Sequence, residues 1–276
     1  MLLEYEFFRN ALVAVVIISV ASAIVGAYIV TRRLVALAGG VTHACFGGLG
    51  LGYFLGISPM GCAAAVAVAS ALGVGVMERR SRVRSDSAVA VIWALGMAAG
   101  VIFIFLTPGY VPELNAFLFG NILTVSRADL VIFGVYTVVT ATYYIVRYRV
   151  ITACAFDPDF ARVSRLPVGR VNTVMTILVA IGIVLTIKLV GVMLLMSMMS
   201  LPPMIAETFT RRMKPLVVIS VAVNAVCSTG ALLLGTVVNV PASALIVVTL
   251  AAVWLVCRGV KSAAAGRRAI MTRAGR

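Results

Sequence analysis

The only histidine of this 276-residue chain, His43, lies in GGVTHACFGGLGLGYFLG (39–56), a stretch with seven glycines and no carboxylate, lysine or arginine. An imidazole in such company has two uses. It lends a nitrogen to a metal ion, or it packs against another helix with its N–H bonded to a hydroxyl or carbonyl. Ionisable groups inside a membrane are costly and tend to line cavities or pathways, which favours the first use. Thr42 and Cys45 are the polar neighbours. Two residues along a helix turn Cys45 well off the face of His43, so its thiol reads as packing before it reads as a ligand. The Thr42 hydroxyl can bond within its own helix. The glycines, including the small-xxx-small pairs Gly48/Gly52 and Gly52/Gly56, read mainly as close helix packing within one subunit.

Other chemistry-bearing residues are scattered. Glu113 and Asn115, in TPGYVPELNAFLFGNILTVS (107–126), could attract and pass on a cation or simply be solvated. Glu207 reads as an ion-pair partner of Arg211 or Arg212, with an exit role as the other reading. Met193, Met196, Met198, Met199 and Met204 read as adaptable apolar filler, although thioethers also suit copper(I). No GxxxxGK[ST] segment is present to cradle a nucleotide's phosphates.

The elements that position these groups are dictated by composition. The chain is 62% hydrophobic and 12% charged, with a mean hydropathy of +1.13. A soluble domain must cover itself with more polar groups than that. Apolar runs long enough to cross a bilayer core as helices, about 17 to 25 residues each, recur at 10–30, 34–56, 58–77, 87–107, 128–146, 171–188, 190–208, 215–236 and 241–257. The expectation is an all-α polytopic membrane protein of eight to nine transmembrane helices. The first run is too long for a signal peptide and reads as a retained helix. Residues 1–257 read as one transmembrane domain and 258–276 as a basic tail. The five scattered cysteines, without a CxxC, read as free thiols.

Net charge +14 would suggest nucleic acid in a soluble protein. Here every lysine and arginine except Arg9, Arg127 and Lys188 falls in a connection on one side of a nine-span chain or in the tail. By the positive-inside rule that side is the cytoplasm, with the C-terminus there and the N-terminus outside. The charge is topogenic, with attraction to anionic lipid as a second use. Lys188 reads as a side chain reaching for the interface.

The longest basic-side connection is ACAFDPDFARVSRLPVGRVN (153–172). Asp157 reads as an N-cap, Pro158 as the first helical residue and Asp159 as a first-turn acid, with Leu166-Pro167 as the stop. A short amphipathic helix with Phe156 and Phe160 on one side and Arg162 and Arg165 on the other is a docking element.

Four segments, in order, carry a resemblance: Thr42-His43-Ala44 early in a glycine-rich second helix, ELNAFLFGNIL (113–123), FDPDFARVSRLPV (156–168) and KLVGVMLLMSMMSLPP (188–203). Together they resemble the ABC-3 family, the permease subunits of bacterial ABC importers for zinc, manganese and iron(II). The resemblance implies a subunit of the bacterial inner (plasma) membrane that binds no cofactor stably, is not itself an enzyme and works as a homodimer. It implies a separate cytosolic ATPase and an extracytoplasmic metal-binding protein as partners, and no nucleic acid. It makes His43 a transient ligand on the metal path, next to Thr42 and Gly39; Cys45, Glu113 and Asn115 are further candidates for that path from their own positions. It places Phe156, Asp157, Pro158, Phe160, Ala161, Arg165, Leu166 and Pro167 in the coupling loop (153–171) that takes up ATPase motion. Two departures stand out: Gly39 occupies the position, one turn before the histidine, where the family usually has aspartate, and Arg165 the position of a glycine.

Other functions fit the residues less well. An importer of a metal chelate, such as a siderophore or haem, would tolerate few charged ligands. An ion-coupled secondary transporter would show paired repeats and carboxylates within its spans; no repeat is evident and the spans hold few acids. An intramembrane enzyme would need more than one histidine without paired carboxylates.

Overall fold

The computed structural model describes residues 5–81, 84–108, 120, 122–238 and 240–274, and no strand occurs among them. The helices are α1 (Glu6–Thr31), α2 (Val35–Leu55), α3 (Pro59–Ser81), α4 (Ser85–Leu106), α5 (Arg127–Val146), α6 (Tyr148–Phe156), α7 (Pro158–Val163), α8 (Val168–Phe209), α9 (Met213–Val238) and α10 (Ala242–Ala274). A one-turn 3-10 helix, Ile122–Thr124, precedes α5. Eight of the helices are long and apolar enough to cross a membrane. With no water in the bilayer core, only a structure that satisfies its backbone within each segment is stable there.

Helix ends follow local rules. At the start of α5, the Asp129 N–H donates to Ser126 Oγ (3.2 Å) while the Ser126 N–H donates to Asp129 Oδ2 (3.3 Å), closing a capping box. The α7 start is as the sequence predicts: Asp157 Oδ1 accepts from the Phe160 N–H at 2.9 Å and Pro158 opens the helix. Its end differs. The Leu166 N–H reaches the Ala161 carbonyl (2.9 Å) and the Arg165 N–H the Arg162 carbonyl (3.0 Å), with Arg165 left-handed at φ 55°. This closing motif prefers glycine at that position, so the helix stops before Leu166-Pro167.

The 42-residue α8 contains one non-helical residue, Gly191 (φ 79°, ψ 171°). Early in α8, Asn172 Oδ1 accepts a hydrogen bond from the Tyr28 hydroxyl of α1 (2.9 Å). Late in α8, the Met199 carbonyl lies against Gly26, two residues from Tyr28. On one straight helix residues 172 and 199 would stand roughly 40 Å apart. The chain therefore doubles back at Gly191, and α8 is two limbs, 168–190 and 192–209, in agreement with the two runs expected at 171–188 and 190–208. The described helices thus make nine passes.

Contacts between connections separate the two ends of the bundle. At the basic end, Arg32 Nη1 donates to the Cys154 carbonyl (3.1 Å), Lys214 lies over the Tyr148 ring (5.0 Å) and Lys261 donates to the Thr208 carbonyl (2.6 Å). At the far end, Arg127 pairs with Glu6 (2.6 Å). Lys188, expected to reach for the interface, instead pairs with Asp129 (2.5 Å) and ties the first limb of α8 to α5. The last helix runs past residue 257 into the basic tail as far as Ala274. All five cysteines are free, Cys45 and Cys154 fully buried.

Two devices hold the core. In one, Asn224 of α9, fully buried, donates to Ser22 Oγ of α1 (2.8 Å) and to the Met198 carbonyl (3.3 Å), and accepts from Ser228 (3.2 Å). One amide thus joins three helices where water is absent. In the other, α2 and α4 run parallel at backbone contact: a Cβ on Gly47 would stand 2.7 Å from the Gly96 carbonyl oxygen, and one on Gly50 2.6 Å from that of Gly100.

A groove from one end to the other

Along α2 the sides are used differently. Gly47 faces α4, and Gly48 faces α3, where a Cβ would meet the Ala63 backbone at 2.7 Å. Cys45 is fully buried and donates to the Val41 carbonyl (3.1 Å). The thiol, a candidate for the metal path that reads first as packing, is thus enclosed in packing. Thr42 is also fully buried and donates to the Ala38 carbonyl (2.7 Å), the bond expected from sequence. Its Oγ1 further lies 3.8 Å from Met196 Sδ.

His43 is half-buried. Its ring stacks on Trp93 of α4, with centroids 4.3 Å apart and planes within 4°. Among the described residues neither ring nitrogen has a hydrogen-bond partner. The packing alternative, a histidine bonded to a neighbouring hydroxyl or carbonyl, is therefore not what the structure shows. One ring face is covered by the indole of Trp93.

The second limb of α8 touches α2 at Gly39 and Thr42 and carries a second set of accessible side chains. Met198 and Met199 are buried in the core, as filler would be. Met193, Met196, Ser197, Ser200 and Met204 share its accessible face at helical spacing, which Glu207 continues. At the far end Met193, 53% exposed, borders a cavity of about 1090 Å³ with Ile122, Leu123, Leu232 and Val247. Midway, the Met196 ε-methyl lies 3.4 Å from where a Gly39 Cβ would stand, one turn from His43. At the basic end Met204 and Glu207 line a cavity of about 450 Å³ with Trp254, Arg258 and Lys261. Among the described ion pairs none joins Glu207 to Arg211 or Arg212, so the pairing expected from sequence is replaced by a place at this cavity. Glu113 and Asn115 lie outside the described residues.

The coupling segment is presented outward. Phe156 and Phe160 are exposed (48% and 62%), as is Val163 (84%), while Ala161 is fully buried and anchors α7 to the body. Behind it, Arg32, Arg162, Leu166, Pro167, Arg170 and Asn172 line a polar cavity of about 620 Å³. Burial pushes the Cys154 thiol up, with the Arg32 charge pulling the other way.

Trp93 and Asn224 are missed by sequence reasoning. Asn224 carries a local signal, a lone amide in an apolar span with Ser228 one turn on. Trp93 carries none, because only the packing of α4 on α2 brings the indole to the imidazole.

The model of the ABC 3 transport family matches residues 4–260. A protein of Chlamydia trachomatis named "probable metal transport system membrane protein" is 33% identical over 237 residues, covering 83% of this chain and 80% of that one. The manganese transport system membrane protein MntC of Halalkalibacterium halodurans is 28% identical over 212 residues, covering 77% and 73%. Among solved structures, a chain of PsaBC from Streptococcus pneumoniae in complex with Fab superposes with a TM-score of 0.82 at 24% identity, covering 93% of this chain and 92% of that one.

Proposed function

The chain belongs to the ABC 3 transport family, and from that premise we propose that it is the permease of an ATP-driven importer of divalent transition-metal ions. The observation that carries this reading is the continuous accessible face of the second limb of α8. It runs from the far-end cavity, past the Gly39–Thr42 turn of α2 that precedes His43, to the cavity at Glu207. Metal transport in the names of two relatives supports the class of cargo.

The groove lies on the surface of the single chain, with Trp93 44% exposed beside His43. A second copy closes it in this reading, turning two open grooves into one pathway. The basic end is cytoplasmic by the positive-inside rule, and the two exposed phenylalanines of the α6–α7 segment dock a cytosolic ATPase. An extracytoplasmic binding protein delivers metal to the far end. His43 holds the ion transiently; a site that bound it tightly would not release it. The hydrogen bonds around α7 make it a rigid handle, so motion of the ATPase reaches α8 through Leu166-Pro167.

Reconstitution with the cognate ATPase and binding protein, followed by uptake of radiolabelled zinc, manganese and iron(II), tests the proposal. ATP-dependent uptake of at least one ion is expected. Uptake by the isolated chain without ATP, or none of any metal by the full assembly, would sink it.

A further inference from the structure

Resting on the importer reading, the geometry points to Met196 as the residue that, with His43, sets the metal preference of the groove, favouring zinc over manganese. Met196 is the methionine of the accessible face that touches α2 at Gly39 and Thr42, the turn that precedes His43. Its ε-methyl covers Gly39, one turn from His43, and its sulfur meets the hydroxyl of Thr42, the residue before His43. A glycine at 39 offers no ligand of its own and leaves the space that this thioether occupies. Trp93 closes the other side of the imidazole with an apolar ring face.

In this reading the middle of the path offers one imidazole nitrogen and one thioether sulfur per chain, and no carboxylate among the described residues. On the accessible face the next described acid is Glu207, roughly 17 Å further along the helix from Met196. Thioether and imidazole donors suit zinc, whereas manganese prefers an octahedral set of carboxylate, carbonyl and water oxygens. A second copy across the groove would double the set to two nitrogens and two sulfurs, the coordination number zinc favours. Met198 and Met199, buried on the same limb, show that packing alone does not require a methionine to be accessible.

The test is competitive uptake of radiolabelled zinc and manganese by the fully reconstituted transporter. The wild-type chain is to be compared with Met196→Leu, which keeps the volume and removes the sulfur, and with Gly39→Asp, which adds a carboxylate. Wild type is expected to prefer zinc. Met196→Leu should lower the zinc-to-manganese ratio roughly tenfold, the scale seen when a metal site loses a supporting group. Gly39→Asp should shift the ratio the same way by raising manganese uptake. The inference is overturned if wild type prefers manganese, or if Met196→Leu transports with the wild-type ratio. Should Met196→Leu fail to assemble, as judged by its thermal melt, Met196→Ile, likewise without sulfur, takes its place. Absence of ATP-driven uptake of either metal by wild type would instead refute the importer reading on which this one rests.

Discussion

The two sides of α2 meet their neighbours in opposite ways. Toward α4, Gly47 and Gly50 bring backbone against the backbone of Gly96 and Gly100, and not even a methyl group fits between. Toward the second limb of α8, Gly39 also lacks a side chain, but there the space is taken by the flexible end of Met196. The same residue type thus seals one side and leaves the other adjustable. Backbone-to-backbone contact fixes helix positions, because neither partner has a rotamer to change. A methionine over a glycine can swing aside. A transporter needs both: a rigid unit to move and a lining that yields to an ion.

Substitutions on each side should separate these roles. Gly96→Val drives a side chain into the Ala44 backbone, where even a Cβ would lie 2.5 Å away. It should destabilise the chain by about 3 kcal/mol or more, read as loss of folded, monodisperse protein in detergent. His43→Ala should lower the melting temperature by only a few degrees, about what the loss of one aromatic stack, ~1 kcal/mol, produces in a chain of this size, because the ring makes no hydrogen bond. Metal uptake should fall roughly tenfold or more. A His43→Ala variant that transports normally would place the pathway elsewhere. Trp93→Phe should keep most of the uptake and Trp93→Ala less, since an aromatic pair contributes about 0.5–1.5 kcal/mol beyond its burial; equal rates for all three would mean the stack has no part in presenting the imidazole. The smallest effect is expected away from both sides. Lys188→Gln removes an ion pair at the far end, about 0–1 kcal/mol by melting, and should leave the zinc-to-manganese ratio untouched.

The two ends of the bundle repeat the contrast in charge. Of the three basic residues that the sequence assigns to the far side, Arg127 and Lys188 are paired with Glu6 and Asp129. At the basic end Arg33 and Arg165 both sit in left-handed backbone at helix ends, where glycine is the easier choice at a gain of about 1 kcal/mol per residue. Long cations there can reach headgroups or a partner.

Much of this was legible along the chain. Apolar length determined the passes, including the pair of runs that fold as the two limbs of α8, because a bilayer demands about 20 apolar residues per crossing whatever the neighbours are. Asp157-Pro158 determined the start of α7, because a cap and a fixed φ act within one turn. His43 was conspicuous as a lone imidazole in an apolar helix. Contacts across the sequence were left to the fold: Trp93 on His43, Met196 over Gly39, Lys188 on Asp129, and Cys45 turned inward. Periodicity says which residues share a side of one helix, but not which other helix comes to cover it. That is decided by how nine passes pack at once, and it is the packing that stacked the imidazole on Trp93 and set a sulfur against Thr42, the residue before it.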